Sequence, residues 1–350
     1  MITEIDMRNF RCFRHLKVEN CERFNLIVGD NGGGKTALLE AIFLTLAGNV
    51  EVSMRLKAHR GFDTAFSGPP RAIEEAIWRD YFYNLDWNNP INVNLTGSGP
   101  EARSLTISKG TADALIPFSG FDQKESSGSS AITFTWRDSA GRTHTSSPKI
   151  APQGIQIPVS AEDLPDFFLY PANQLTLASE TAARFSELSR ERREREFVEV
   201  FSREYPWIHD LNIEVYGGFP VIHATLKDSK VKLPINAVSG GINRVIAIML
   251  SLAARPGSVV LVDEIEDGIF YKHKTTLWRA LLVLARKHGC QMFLTTHDEE
   301  WLEALVDASE ENVDDIALWR FSRDSDGNHI LRQFSAQTFK AGIETGGEVR

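Results

Sequence analysis

Apolar and polar positions alternate through the opening stretch "ITEIDMRNFRCFRHLKVENCERFNLIVGDN", which predicts short strands ending on Leu26-Ile27-Val28. The spacing then changes to that of a helix over Ala37-Leu38-Leu39-Glu40-Ala41-Ile42. Residues 49 to about 68 are mixed and basic. In "PPRAIEEAIWRDYFYNL" a proline start and apolar residues at Ile73, Ile77, Tyr81 and Leu85 predict one helix. From Ile91 to about Thr145 the runs "INVNL", "SLTIS", "ITFTW" and "RTHTS" alternate as antiparallel strands do, interrupted by the polar loop "DQKESSGSS". "DFFLYPANQ" reads as a strand running into a proline-led loop, and "ARFSELSRERREREFVEVFSREYP" as a helix. "LNIEVYGGFPVIHATL" reads as a hairpin turning at Gly217-Gly218. Beyond it come an apolar helix from about Ile242 to Ala254 and two apolar strands, Val259 to Val262 and "CQMFLTTH", with a helix after Asp298.

One junction in this pattern carries chemistry. Gly29-Asp30-Asn31-Gly32-Gly33-Gly34-Lys35-Thr36 fits G-x-x-x-x-G-K-[ST] between a strand and a helix, the context in which that pattern binds phosphate. Glycines let backbone N–H groups turn toward phosphate oxygens, and the helix N-terminus adds partial positive charge. Asn31, Gly32, Gly33 and Gly34 are the cradle candidates; Lys35 would reach the β and γ phosphates, and the Thr36 hydroxyl would ligate Mg²⁺.

Two further strand ends agree with it. The strand Val259 to Val262 closes on Asp263-Glu264; a P-loop enzyme needs an acid there for the Mg²⁺ shell, and the next acid is placed to activate water. Glu266 and Asp267 fit a solvated acidic turn. His297 follows another strand at its C-terminal end, where open α/β sheets bind ligands, and is a γ-phosphate contact candidate. Ser239-Gly240-Gly241 opens a helix, which suits a second phosphate cradle and equally a plain capped helix with Ser239 as cap.

Composition narrows the setting. The 350 residues suffice for one large α/β domain with an insertion, or for two domains, and 42% hydrophobic content is ordinary for a globular chain. No run of about eighteen apolar residues occurs, and the N-terminus does not read as a signal peptide, so no membrane partner and a cytoplasmic location are expected. Cys12, Cys21 and Cys290 form neither a disulfide framework nor a zinc site. A formal charge of −9 argues against nucleic-acid binding over the whole surface, while a local basic groove for DNA stays open. The charged block Arg190 to Glu196 fits a solvated helix face better than a nucleic-acid contact. Sustained heptads and internal repeats are absent.

The order P-loop, Ser-Gly-Gly, strand with Asp-Glu, strand with His resembles the ATP-binding-cassette (ABC) ATPases. With Asn9-Phe10-Arg11 near its start, the chain is similar to the SMC- and RecF-like branch. It looks closest to the ATPase part of the OLD (overcoming-lysogenization-defect) proteins and to stand-alone phage-defence ATPases such as that of PARIS. "GDNGGGKTALLEAI", "SGGINRVIAIMLSLA", "VDEIEDGIFYKHKTTLW" and "FLTTHDEEWLEAL" carry the likeness. It implies an α/β fold: a P-loop ABC-ATPase head with a mixed β-sheet core, an antiparallel β lobe and a helical/β insertion. The expected plan is a single head over residues 1–350, with core segments 1–48 and 165–350 and with 49–164 as insertion and β lobe.

The resemblance also assigns roles. Lys35 and Thr36 become Walker A, Asp263 and Glu264 Walker B, and His297 the switch histidine; Gln174 becomes the Mg²⁺-sensing glutamine. Ser239, Gly240 and Gly241 become the signature acting across a dimer, although Ile242-Asn243 replaces the polar pair usual after its glycines. ATP and Mg²⁺ are the implied cofactors. The implied partners are a second copy, or a higher homo-oligomer, and a separately encoded nuclease- or toxin-like effector. The OLD Toprim nuclease has no counterpart in the tail after about residue 305, so this chain is not expected to cut nucleic acid. A RecF-like repair clamp is the alternative within the fold. A small-molecule kinase is opposed by the Ser-Gly-Gly and Asp-Glu motifs, and a regulatory GTPase by the absence of an Asn-Lys-x-Asp guanine reader. The aromatic stretch "IWRDYFYNLDW" is expected either to dock a partner or to be buried within the β lobe.

Overall fold

The computed structural model describes residues 1–61, 68–110, 132–151, 154–158, 164–174, 176–269, 273–309, 313–324 and 329–334, with 338 and 341. The polar loop "DQKESSGSS" lies outside the described residues.

In chain order the elements are β1 (Ile2–Phe10), β2 (Phe13–Val18), β3 (Phe24–Gly29), α1 (Lys35–Ala47), α2 (Glu51–His59) and α3 (Pro70–Trp78). They continue with β4 (Ile91–Gly97), β5 (Arg103–Lys109), β6 (Ile132–Arg137), β7 (Thr143–Ser146), β8 (Lys149–Ala151), β9 (Gly154–Gln156) and β10 (Phe167–Tyr170). Then come α4 (Ala178–Arg190), α5 (Glu194–Glu204), β11 (Ile208–Tyr216), β12 (Phe219–Leu226), β13 (Leu233–Pro234), α6 (Ile235–Val238) and α7 (Gly240–Ala254). The last are β14 (Val259–Val262), α8 (Lys274–His288), β15 (Gln291–Thr295), α9 (Glu299–Ser309), β16 (Ile316–Arg323) and β17 (His329–Phe334).

Two compact units divide the chain: Met1–Cys21, Thr36–Pro165 and Asp324–His329 form the first, and Glu22–Lys35, Asp166–Arg323 and Ile330–Arg350 the second. In the first, an antiparallel sheet runs β2-β1-β4-β5-β6-β7. Its strands keep the alternation read from the sequence: Ile91, Val93 and Leu95 of β4 are buried while Asn92, Asn94 and Thr96 face out. Most of the aromatic stretch is buried there, while Tyr83 is half-buried and Leu85 exposed. Trp78 donates to Ser53 Oγ at 2.9 Å, Tyr81 donates to the Ser53 carbonyl at 2.7 Å, and Phe82 is covered too. Those side chains are therefore core rather than docking surface.

Two expected helices are shorter than their apolar spacing suggested. The first ends at Trp78, after which single 3₁₀ turns carry the chain through Asn84 and Leu85, both at positive φ (52° and 60°). The second breaks into α4 and α5 at Arg192, φ 59°, since a left-handed residue cannot continue a right-handed helix. In the mixed basic stretch, α2 was not foreseen.

The second unit is built on a sheet of order β10-β14-β15-β3-β16-β17. β10, β14, β15, β3 and β16 pair in parallel. All of β14 ("VVLV") is buried, as expected of a parallel strand covered on both faces. α7 is buried from Ile242 to Ala254, and an all-round buried helix of this kind lies at the centre of a core. The hairpin β11–β12 forms at Gly217-Gly218 as the sequence predicts.

Candidate functional site

Neighbouring strands β14, β15 and β3 bring three sequence motifs to one edge of the second unit's sheet. Because they run parallel, their C-terminal ends lie side by side: Asp263 follows β14, His297 follows β15, and the glycine loop follows β3.

The loop is shaped by backbone that other residues rarely adopt. Gly29, Gly32 and Gly34 have φ of 132°, 75° and 103°. A Cβ at Gly29 would overlap the Phe321 carbonyl of β16, so the strand reaches its partner only with glycine there. The Gly33 N–H donates to the Asp30 carbonyl at 3.0 Å, and Arg323 Nη2 donates to the Gly32 carbonyl at 2.8 Å. Lys35 is buried, and its ammonium donates to the carbonyls of Gly29 (2.6 Å) and Asp30 (3.1 Å). Burial lowers its pKa, opposed by the carboxylates of Asp263, Glu264, Glu266 and Asp30. Asn31, Gly32 and Thr36 are exposed.

Asp263 is buried and fixed. Thr295 Oγ1 donates to its Oδ1 at 2.6 Å and accepts the Glu264 N–H at 2.8 Å, so one hydroxyl ties β15 to both acids. Glu264 sits at φ 50°, a conformation that costs a non-glycine residue about 1–3 kcal/mol and concentrates at functional sites. Partial burial raises its pKa; Asp263, Glu266 and Asp267 add to the rise, and His297 opposes it.

Glu266 and Asp267 are engaged rather than simply solvated. Glu266 Oε1 lies 2.8 Å from His297 Nδ1 and accepts the His297 backbone N–H at 2.9 Å. Asp267 Oδ2 accepts the Asn173 N–H at 2.7 Å. That contact anchors the turn carrying Gln174, which is itself exposed.

Sequence reasoning missed Arg244. Its buried guanidinium donates to the carbonyls of Pro171 (2.6 Å), Asp263 (2.6 Å) and Glu264 (3.3 Å), and lies 3.6 Å from Asp267. It thus joins the helix opened by Ser239 to the acidic turn and the Gln174 turn. An arginine inside an apolar helical run was the available signal, since a buried guanidinium needs partners. Asn243, one of the two residues replacing the usual polar pair, is buried and donates to the Thr176 carbonyl at 3.1 Å.

Ser239 caps α7, its Oγ accepting the Ile242 N–H at 3.4 Å. The two glycines after it differ. A Cβ on Gly241 would overlap the Gly268 carbonyl, whereas one on Gly240 meets nothing within 4 Å. Gly241 is needed for close packing, and Gly240 lies open.

Of Asn9-Phe10-Arg11, in the first unit, Phe10 and the Arg11 side chain are buried and Asn9 is half-buried. Arg11 donates to Glu40 Oε2 (3.1 Å) and Asp80 Oδ2 (2.6 Å), with its guanidinium 4.1 Å from the centre of the Tyr81 ring. Arg60 also binds Glu40, and Lys57 binds Asp80.

The residues fit a nucleotide with its metal. The glycine loop and Lys35 bring N–H donors and a cation to the start of α1, and the Lys35 ammonium feels the buried carboxylate of Asp263. Among the described residues no group of three or more His, Cys, Asp or Glu could hold a metal by itself.

A family model described as "AAA domain" matches residues 4–197, and one described as "AAA domain, putative AbiEii toxin, Type IV TA system" matches residues 119–303. An "ATP/GTP phosphatase" of Helicobacter pylori is 22% identical over 337 residues, covering 87% of each chain. The DNA replication and repair protein RecF of Bacillus mycoides is 44% identical over 43 residues, 12% of either chain. Among solved structures, the SMC head crystallised with the C-winged helix domain of ScpA aligns over 95% of this chain and 97% of its own. That alignment has 14% identity and a TM-score of 0.53, a likeness of fold.

Proposed function

The chain belongs to the AAA-domain family of ATPases, and from that premise we propose that it is an ATP-operated switch controlling a separate effector. In this reading Lys35 and the backbone of Asn31 to Gly34 hold the β and γ phosphates. Thr36 and Asp263, with Gln174 in the adjoining turn, hold Mg²⁺, whose chemistry is to neutralise charge on the phosphate oxygens. Glu264 takes the proton of the attacking water, and His297 meets the γ phosphate. Ser239, Gly240 and Gly241 complete the site of a second copy, so the heads pair only while ATP is held between them.

The observation that carries this reading is the side-by-side arrangement of the β3, β14 and β15 ends, with Arg244 bonding the Ser239 helix to the backbone of both acids. A second copy pressing on Ser239–Gly241 would act on α7, and α7 is bonded directly to the peptide units of Asp263 and Glu264. The matched description "putative AbiEii toxin, Type IV TA system" is compatible with regulation of a nuclease- or toxin-like protein in anti-phage defence. The chain would not itself be the nuclease. The test has two arms. ATP turnover of Glu264→Gln should fall about 10²–10⁴-fold with binding retained. Co-expression with neighbouring gene products should bring an effector down with the tagged chain.

The RecF similarity favours a second reading, a clamp on DNA ends. Tight binding of duplex ends at physiological salt, with no co-purifying protein, would select it.

A further inference from the structure

We propose that Glu266 is the positioning residue for His297. Its single oxygen Oε1 holds the histidine at the backbone N–H (2.9 Å) and at Nδ1 (2.8 Å), leaving Nε2 as the ring nitrogen available to a phosphate oxygen. This rests on the reading above that His297 meets the γ phosphate. The position of Glu264 after the strand-end acid assigns it water activation and leaves Glu266 without a role.

Three observations carry it. A carboxylate only accepts, so Nδ1 carries the proton in this pair and the partner fixes which nitrogen stays free. Holding both ends of one residue also fixes its side-chain torsion, which a contact to the ring alone would not do. The acid is the anchored partner: the Glu266 side chain is 13% exposed against 51% for His297. Its turn is tied down as well, since the Ile265 N–H donates to the Thr295 carbonyl at 3.0 Å, the Asp267 N–H to Glu264 and the Ile269 N–H to Glu266. Among the described residues no hydrogen bond joins the Glu264 carboxylate to His297, although the two interact electrostatically. The acids therefore divide the work, Glu264 facing water and Glu266 setting the histidine.

Steady-state ATP hydrolysis by the full chain tests this, with Glu266→Ala, Glu266→Gln, His297→Ala and the double Ala variant. Loss of a partner that orients a functional histidine typically costs about 10–100-fold. Glu266→Ala should lose that much in kcat with KM little changed, and the double variant should be no slower than His297→Ala alone. Glu266→Gln keeps the accepting oxygen and should restore most of the rate. Ring ¹⁵N shifts of His297 give a readout apart from turnover: Nδ1 should be the protonated nitrogen in the native protein and in Glu266→Gln, and should lose that preference in Glu266→Ala. Losses that multiply in the double variant, or a Gln variant as slow as Ala, would overturn the proposal. A slow His297→Ala beside a fast Glu266→Ala sinks it alone. His297→Ala at the native rate removes the phosphate role of His297 and the proposal together.

Discussion

Lys35 rests on two carbonyls of its own loop, so a phosphate must draw the ammonium away from Gly29 and Asp30. The gain is the difference between charge-assisted bonds to phosphate and bonds to neutral carbonyls. Hydrogen bonds to charged groups are worth roughly 1.5–3 kcal/mol, so Lys35→Ala should weaken Mg-ATP binding about 10–100-fold by calorimetry, and unchanged affinity would remove the basis of the site. The glycines of the second motif separate structure from contact. Gly241→Ala forces a Cβ into the Gly268 carbonyl and should destabilise the protein by about 1–3 kcal/mol, read as a lower Tm. Gly240→Ala has open space and should leave Tm unchanged while impairing ATP-dependent pairing. At this scale the glycines, Lys35, Asp263 and His297 were legible because their spacing reflects backbone and strand-end geometry. Glu266, Arg244 and Thr295 were not. Their meaning lies in partners some 19 to 73 residues away in the chain, and no local pattern encodes which acid faces which histidine.

Between helices α5 and α8 lies a carboxylate that makes stability depend on pH. Glu204, at the end of α5, is fully buried, with His273 Nδ1 2.9 Å from Oε1 at the start of α8. Burial raises its pKa to about 7, and the neighbouring Thr276 side chain opposes the rise. A raised carboxyl pKa means that the folded chain holds a proton the unfolded chain has released. Its contribution is therefore most favourable below the ordinary carboxylate range and is lost as pH rises toward about 7. Stability should fall by roughly 1–3 kcal/mol across that window. Glu204→Gln should flatten this part of the profile in chemical denaturation at stepped pH, and an unchanged slope would place the effect elsewhere. Element type was largely readable from period. The breaks at Asn84 and Arg192 were not, because positive φ at a non-glycine residue is imposed by tertiary packing and leaves no mark on hydrophobic spacing.

For the assembled molecule, the reading requires pairing that follows nucleotide. Glu264→Gln should elute as a dimer with Mg-ATP and as a smaller species without it, and Ser239→Arg, which puts bulk beside the open Gly240, should stay small under both conditions. A constant size in all four samples would turn the switch into a scaffold. The architecture was legible as a P-loop head because motif order survives in sequence, whereas strand order does not. β3 pairs with β15 and β16, so Leu26 lies opposite Leu294 on one side and Leu318 on the other. That adjacency bears on how the protein is made. When β3 leaves the ribosome, both of its neighbours are still unsynthesised. At about 5–20 residues per second this apolar strand waits on the order of 10–50 s for a partner strand. During that interval the nascent chain presents an unpaired strand edge, and a chaperone or a prompt second copy of the same edge would compete for it.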